Sequence, residues 1–125
     1  MDGKSIACFI LSTQGVLRQP GNPWYLNETL EPRDVYEPYC SGNAVVFHGS
    51  LAKRFYEAAR KRIYIHIDDV FMTGYVRRDI KVELIDMIGR PRVFHTQKPS
   101  PEDMRKQWLL LEHMRRPANA GAPGV

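Results

Sequence analysis

The apolar residues of this chain fall in short runs, and this pattern most limits the folds that it can adopt. Residues 6–11 form one run, which ends in a Ser-Thr-Gln-Gly segment typical of a turn. Residues 44–47 form a second run, and the segment Tyr39-Cys40-Ser41-Gly42 ahead of it is a predicted tight turn. Residues 63–67, rich in β-branched side chains, form a third run. The first run is too short for a membrane span or for a signal-peptide core. We therefore predict extended strands at these three places, with a weaker fourth over residues 80–85.

Two other segments have helical patterns. Residues 51–60 place their apolar side chains on one face, and Ser50 is the predicted N-cap of this helix. Residues 102–115 form the second predicted helix. It is preceded by Ser100, whose spacing to Asp103 is that of a capping box. The chain thus combines predicted strands with two predicted helices.

The length and composition favour one small globular domain. The chain has 125 residues, of which 43% are hydrophobic and 26% charged, and a chain of this composition folds instead of remaining disordered. We predict one folded domain over residues 1–116 and a disordered Ala/Gly/Pro-rich tail over residues 117–125. The net charge of +4 is spread along the chain. No stripe of basic and aromatic residues is present, so we predict no nucleic-acid partner.

The pairing of the two cysteines and the use of one glycosylation motif depend on the compartment in which the protein folds. Cys8 and Cys40 can form one disulfide, remain as two buried thiols, or pair with a partner chain, and the sequence leaves all three open. Their spacing is not that of a zinc site. Asn27-Glu28-Thr29 is an N-glycosylation sequon, which matters only if the protein passes through the secretory pathway.

The segment between the first two strands is rich in both proline and aromatic residues. Trp24, Tyr25, Tyr36 and Tyr39 lie among five turn-forming prolines and glycines. Aromatic side chains need a surface to contact, so we do not expect this loop to be flexible. They can pack the loop onto the core, or they can stack on a sugar ring. Both interpretations remain open.

The strongest catalytic candidates are Asp68 and Asp69. Two adjacent carboxylates at the end of an apolar strand are costly unless they are solvated, paired or functional. A rigidly held carboxylate can act as a general base for a sugar hydroxyl. The alternative is that one aspartate caps a turn or helix over residues 70–76 while the other is exposed. Among the four histidines, His95 precedes a capped helix and suits a residue that reaches into a cleft.

Taken in chain order, several motifs resemble those of glycosyltransferase family 31, the β-1,3-galactosyltransferase and N-acetylglucosaminyltransferase family. The similar segments are Val16-Leu17-Arg18, Trp24-Tyr25-Leu26, Tyr36-Glu37-Pro38-Tyr39-Cys40-Ser41-Gly42, Phe55-Tyr56-Glu57-Ala58, Ile67-Asp68-Asp69-Val70-Phe71-Met72-Thr73-Gly74, and His95 with Ser100-Pro101-Glu102-Asp103-Met104 and Trp108. Each motif is weak alone, but their common order makes the resemblance fairly specific. It covers residues 6–114.

The resemblance implies a fold and a chemistry. The fold would be the C-terminal, acceptor-side half of a GT-A-type α/β domain, with mixed strands and two main helices. Its enzymes are inverting, and they transfer a hexose or N-acetylhexosamine from a UDP-sugar to a glycan acceptor, usually with Mn²⁺. Asp69 matches the catalytic base, and Asp68 matches the first acid of the motif, which would orient the acceptor or the loop. His95 matches a histidine that reaches the metal or the diphosphate. The predicted substrate-binding residues are Trp24, Tyr39, Ser41 and Gly42.

The same resemblance indicates what this chain lacks. The family's Asp-x-Asp metal motif, its nucleotide-binding half and its membrane anchor lie upstream of the similar part. We therefore expect a truncated hexosyltransferase that is inactive in isolation, with Golgi membrane localisation for its intact relatives. The alternative is a non-catalytic module that binds a glycan or a partner. Only 26 positions separate Asp69 from His95, fewer than the family usually has, so the assignment of His95 is weaker.

Overall fold

A computed structural model describes residues 2–90 and 98–115 of the chain. The chain divides into two compact units, Met1–Met87 and Ile88–Val125, which we describe separately. The elements of the first unit are β1 (Ser5–Leu11), β2 (Tyr39–Phe47), α1 (Leu51–Ala59), a helical segment α2 in which a π-helix (Val70–Val76) continues into an α-helical turn (Arg77–Asp79), and β3 (Glu83–Asp86). The described part of the second unit contains α3 (Pro101–Arg115).

The first unit is built on a three-stranded mixed sheet in the order β2-β1-β3. The central strand β1 pairs antiparallel with β2 and parallel with β3. It is the most buried strand, and Ile6 and Cys8 are fully enclosed, which explains why its sequence is almost continuously apolar. The strands predicted at residues 6–11, 44–47 and 80–85 are confirmed, although β3 is shorter and shifted by a few residues.

Strand β2 contains an irregularity that matters for the site. Cys8 pairs with Val45 and Ile10 pairs with Cys40. Four residues of β2, from Ser41 to Ala44, therefore stand opposite Phe9 alone. Such a bulge bends a strand away from its ladder and redirects the residues within it. The sequence suggested a tight turn ahead of the strand here. That prediction was wrong, because the chain stays in β2 and leaves the ladder only locally.

Residues 63–67 form no strand, contrary to the prediction. Both neighbours of β1 in the sheet are already supplied by β2 and β3. Side-chain contacts hold this segment in place instead: the ring of Tyr64 meets that of Phe71 edge-on at 5.4 Å, and Nε2 of His66 donates a hydrogen bond to the Pro23 carbonyl at 2.9 Å. Asp68 and Asp69 therefore begin a helical segment and do not end a strand.

Helices α1 and α2 bury apolar side chains in the core of the first unit, but the predicted apolar face of α1 is only partly buried because Tyr56 is 62% exposed, and α3 has no buried residue. Leu51 and Phe55 of α1 are buried, and the apolar residues of α2 are almost all enclosed. Ser50 precedes α1, but its side chain makes no capping bond. Its hydroxyl instead pairs with Nδ1 of His48 at 2.8 Å, so the prediction of this cap was wrong. Among the described residues, no helix combines the length and the hydropathy needed to cross a membrane.

The capping box of α3 is confirmed. The hydroxyl of Ser100 accepts a hydrogen bond from the Asp103 N–H at 3.1 Å, and the Asp103 carboxylate accepts one from the Ser100 N–H at 3.0 Å. The helix begins at Pro101, one residue before the predicted start. The predicted stop at Pro117 and the predicted tail over residues 117–125 lie outside the described residues, and the single domain over residues 1–116 stays a prediction.

A disulfide joins the two cysteines of the first unit. Cys8 of β1 and Cys40 of β2 are both buried, and their Cα atoms are 5.6 Å apart. This resolves the three alternatives that the sequence left open. The bond closes a loop of 32 residues that holds the whole aromatic segment between β1 and β2.

Removing the disulfide is expected to destabilise the fold strongly. Closure of a loop with a sequence separation of 32 lowers the entropy of the unfolded chain, and this contributes about 3–4 kcal/mol in the chain-entropy description. The Cys8→Ala/Cys40→Ala variant should therefore unfold at a clearly lower urea concentration than the oxidised protein. Reducing agent should destabilise the native chain and leave the double variant unchanged. Equal midpoints for the oxidised protein and the variant would contradict this.

Candidate active site

Asp69 lies at the start of α2, where the bulge of β2 faces it. Its side chain is half-buried, whereas that of Asp68 is exposed. The backbone N–H of Gly42, in the bulge, donates a hydrogen bond to the Asp69 carboxylate. A Cβ atom at position 42 would lie 2.7 Å from Oδ1 and 2.8 Å from Oδ2 of Asp69. Glycine at this position leaves the space that the carboxylate occupies, and a side chain here would displace the carboxylate.

Thr73 fixes the relative position of Asp69 and β2. Its hydroxyl donates a hydrogen bond to the Asp69 carbonyl at 2.7 Å and accepts one from the Cys40 N–H at 2.8 Å. Sequence reasoning gave Thr73 no role. Its position four residues after Asp69 could have indicated one of these bonds, because a threonine in a helix can donate to the carbonyl four residues before it. Its partner in β2 was not visible in the sequence.

The environment of Asp69 disfavours its charged form. Burial raises the pKa of this carboxyl, and the nearby negative charge of Asp68 raises it further, while the hydrogen bond from Gly42 offsets part of this effect. Burial and the charge of Asp69 likewise raise the pKa of Tyr39. The Tyr39 hydroxyl therefore stays protonated at neutral pH. A carboxylate with a raised pKa in a cleft is a candidate for acid–base chemistry.

Two cavities meet at Asp69. One, of about 250 Å³, is mainly apolar, and its lining includes Val45, Phe47, Phe55, Met72, Asp68 and Asp69. We call it the apolar cavity. The other, of about 290 Å³, is lined by Gln14, Leu17, Trp24, Tyr36, Tyr39 and Asp69, and we call it the aromatic cavity. Asp69 lines both, so this residue lies between the two cavities.

The aromatic cavity is built on a loop that Arg18 holds together. The Arg18 guanidinium donates hydrogen bonds to the carbonyls of Leu26, Glu31 and Arg33 at 2.8, 2.6 and 2.8 Å. A single cation therefore satisfies three backbone acceptors of a segment with little regular structure. Isolated β-bridges also pair residues within the loop, for example Leu17 with Tyr25. These contacts explain how a segment so rich in proline presents ordered aromatic side chains.

A buried carboxylate joins this loop to α2. Glu31 accepts hydrogen bonds from the Tyr75 hydroxyl and from Arg33, the latter at 2.7 Å. Burial alone would raise the pKa of Glu31, but the bonds from Arg33 and Tyr75 outweigh it and keep the pKa below its ordinary value. Since the ionised form is the one that is stabilised, this link is present above the ordinary pKa of glutamate and is lost as the pH falls through the lowered value.

One polar group of the aromatic cavity has no partner among the described residues. Tyr36 is 7% exposed and contacts Tyr39 edge-on, with ring centroids 6.0 Å apart. Its buried hydroxyl makes no hydrogen bond within the described part of the chain. Buried hydroxyls are normally satisfied, and Tyr36 lines the aromatic cavity, so its hydroxyl is a candidate partner for a bound ligand or an ordered water.

The structure brings together most of the residues that the sequence singled out. Trp24 and Tyr39 line the aromatic cavity, Gly42 and Asp68 line the apolar cavity, and Asp69 lines both. Ser41 is buried and lines neither of these two cavities. His95 lies outside the described residues. Within the described ranges, no three His, Cys, Asp or Glu side chains are grouped so that they could hold a metal ion.

Comparison with known proteins identifies the family. The Galactosyltransferase family profile matches residues 1–88, which include both cavities and the complete sheet. The chain belongs to the galactosyltransferase family. This is glycosyltransferase family 31, so the resemblance found in the sequence motifs is confirmed.

The chain is similar to β-1,3-galactosyltransferases over part of their length. It is 30% identical to human β-1,3-galactosyltransferase 5 over 86 residues, which are 69% of this chain and 27% of that protein. It is 26% identical to mouse β-1,3-galactosyltransferase 1 over 106 residues, which are 75% of this chain and 32% of that protein. The chain thus spans about three tenths of the length of these relatives.

The Asp69→Asn variant is expected to be more stable than the native protein at neutral pH. The folded state raises the pKa of Asp69, so its charge costs stability once the pH exceeds the ordinary aspartate value. The amide removes this charge. Urea denaturation at pH 7 should give a higher midpoint for the variant, and the difference should vanish at low pH, where Asp69 is neutral in both states.

The exposed Asp34 provides a matched control. Asp34→Asn removes the same charge from the surface and should change the free energy of unfolding by less than about 0.5 kcal/mol. If Asp69→Asn destabilised the protein at pH 7, the carboxylate would be contributing to the fold, and its interpretation as a functional group would fail.

Proposed function

We propose that this chain supplies the acceptor side of a β-1,3-hexosyltransferase and that Asp69 is its general base. The reaction transfers galactose or an N-acetylhexosamine from a UDP-sugar to a hydroxyl of a glycan. Membership of the galactosyltransferase family supports this reaction class. The observation that carries the proposal is the position of Asp69. Asp69 lines both cavities, and its carboxylate is held by the Gly42 N–H and has a raised pKa.

In the proposed step, Asp69 takes the proton of the acceptor hydroxyl as that oxygen attacks the anomeric carbon of the sugar. The bond between this carbon and the diphosphate oxygen breaks, UDP leaves, and the configuration at the anomeric carbon inverts. A higher pKa makes the carboxylate a stronger base for this proton. Asp68, beside it and exposed, is proposed to orient the acceptor and raises the basicity of Asp69 through its charge.

The aromatic cavity is the proposed site of the acceptor sugar. The indole ring of Trp24 and the ring of Tyr39 provide apolar faces, and the unpartnered Tyr36 hydroxyl provides a donor and acceptor for a sugar hydroxyl. Trp24 is 59% exposed, which leaves its ring face accessible to a ligand. Gly42 allows the backbone to approach the carboxylate closely. Ser41 is proposed to act through the bulge geometry, since it is buried beside Gly42.

The donor side is proposed to need more of the family's catalytic domain than this chain has. The matched segment covers 27% and 32% of these relatives, so they are between three and four times as long as it. We therefore propose that the mixed sheet is part of a GT-A-type domain of the Golgi, and that the isolated chain does not catalyse transfer. Since the described residues contain no group of three metal ligands, we assign no step to Mn²⁺, and the role of His95 stays a prediction.

A non-catalytic glycan-binding module is the second candidate. It is favoured by the aromatic cavity, whose walls come entirely from described residues of one chain and need no donor site. The two candidates differ in the role of Asp69. A module binds the glycan equally well with an amide at this position and has no transfer activity to lose. An enzyme requires the carboxylate for turnover.

Glycan binding by the isolated chain tests the acceptor site. NMR titration with oligosaccharides that end in galactose, N-acetylglucosamine or N-acetylgalactosamine should shift the Trp24 indole and the Gly42 amide signals. Tyr36→Phe should weaken this binding by about 2- to 12-fold, the effect of one hydrogen bond, and should not lower stability because the hydroxyl has no partner in the free protein.

Tyr75→Phe is the matched control for this experiment. Its hydroxyl is bonded to the buried Glu31, so its loss should cost about 1–3 kcal/mol of stability and leave the cavity walls unchanged. If glycans shifted signals far from Trp24 and Gly42, or if Tyr36→Phe and Tyr75→Phe had equal effects on binding, the aromatic cavity would not be the acceptor site.

A chimera tests the proposed base. Residues 1–88 would replace the aligned segment of human β-1,3-galactosyltransferase 5, and transfer from UDP-galactose would be measured. Asp69→Asn should lower kcat by about 10²- to 10⁴-fold with a small change in the KM for acceptor. Gly42→Ala should also lower kcat, because the added Cβ displaces the carboxylate. An Asp69→Asn chimera that kept its kcat to within about threefold would contradict the assignment.

A further inference from the structure

We propose that Asn27 is an N-glycosylation site of this protein. The triplet Asn27-Glu28-Thr29 is the only Asn-x-Ser/Thr sequence in the chain, and its middle residue is not proline. All three residues are exposed, and they lie in a turn on the surface of the first unit. The inference does not depend on the transferase mechanism, since it concerns a part of the loop that lines neither the apolar nor the aromatic cavity.

The turn uses the side-chain oxygen of the exposed Asn27 as a hydrogen-bond acceptor and leaves its amide nitrogen, Nδ2, available for glycosylation. The side-chain oxygen accepts a hydrogen bond from the Leu30 N–H at 2.9 Å, and the Asn27 carbonyl accepts one from the Glu31 N–H at 3.1 Å. These bonds fix the side-chain amide with its oxygen toward the turn. Nδ2, the nitrogen that forms the bond to the sugar, has no hydrogen-bond partner among the described residues.

The disulfide supplies an independent indication of the compartment. Disulfides form and persist in the secretory pathway and are rare in the reducing cytosol. The Cys8–Cys40 bond joins the two strands that flank the loop containing Asn27. A chain that acquires this bond during folding is in the compartment where asparagine glycosylation takes place. The sequon and the disulfide thus point to the same environment from separate parts of the sequence.

The reaction requires a donor from outside this chain. The co-reactant is an oligosaccharide linked to a lipid pyrophosphate. Nδ2 of Asn27 forms a bond to the anomeric carbon of the first sugar and loses one proton, and the bond from that carbon to the pyrophosphate oxygen breaks. The lipid pyrophosphate leaves. Thr29, two residues later, is the hydroxyl residue that the transferring enzyme requires at this position.

A glycan at this position would cover an exposed apolar surface. Leu30 is 40% and Ile63 is 76% exposed, and both line a cavity of about 260 Å³ to which Thr29 also contributes. Exposed apolar patches on soluble proteins favour association, and a bulky polar glycan beside them opposes it. The glycan would therefore keep this surface of the first unit soluble without occupying either cavity at Asp69.

The test uses the full chain, directed into the endoplasmic reticulum of a eukaryotic cell by a cleavable leader. A second sequon appended at the C-terminus identifies the molecules that reached the lumen. Among these molecules, mass spectrometry of the peptide that contains Asn27 should find a glycan that N-glycanase removes. Thr29→Ala and Asn27→Gln should abolish it, and Thr29→Ser should keep it, because the hydroxyl is retained.

Because the C-terminal sequon marks the molecules that reached the lumen, both the presence and the absence of a glycan at Asn27 can be interpreted. Molecules glycosylated at the C-terminal sequon but bare at Asn27 would overturn the proposal, since the transferring enzyme had access to the chain. Glycan at Asn27 that survives Thr29→Ala would also overturn the assignment of the triplet. Alkylation of free thiols in the same sample shows whether Thr29→Ala still forms the Cys8–Cys40 bond, which separates the loss of the sequon from a failure to fold.

Discussion

The hydroxyl of Thr73 joins the sheet to the helix that carries the candidate base. It accepts from the Cys40 N–H and donates to the Asp69 carbonyl, so one side chain sets the distance between β2 and the start of α2. Cys40 is itself fixed to the central strand by its disulfide with Cys8. Asp69 is therefore held relative to the whole sheet by one covalent bond and two hydrogen bonds, and rigid placement of this kind is what a general base requires.

The placement of the Asp69 carboxylate reduces the stability of the fold, because burial and the charge of Asp68 both disfavour its ionised form. The bulge of β2 places four residues opposite Phe9 and brings the Gly42 N–H to the Asp69 carboxylate. The carboxylate is nevertheless partly desolvated and lies beside Asp68. A buried charge with a single backbone donor is less favourable than the same group in water. Residues that reduce stability in this way are characteristic of functional sites and not of the structural core.

The loop that forms the aromatic cavity depends on a different set of interactions. Arg18 satisfies three carbonyls of the loop, and the buried Glu31 connects it to Tyr75 of α2. Glu31 and both terminal nitrogens of the Arg18 guanidinium are partnered, whereas Nε of Arg18 and the Tyr36 hydroxyl are buried without a hydrogen-bond partner among the described residues. Most polar atoms that hold the loop are therefore paired within the described residues. Tyr36 lines the aromatic cavity and keeps a buried hydroxyl that a bound ligand or an ordered water could satisfy.

The sequence by itself determined the family, the positions of the main strands and helices, and the short list of residues near the site. Apolar runs and capping signals are local properties, so β1, β2, α1 and α3 could be predicted from their own residues. Only the tertiary structure decided that residues 63–67 form no strand, that the predicted turn at Gly42 is a bulge, and that Thr73 connects β2 to Asp69. These features depend on which segments meet across the sheet, and contacts between residues more than thirty positions apart leave no periodic signal in the chain.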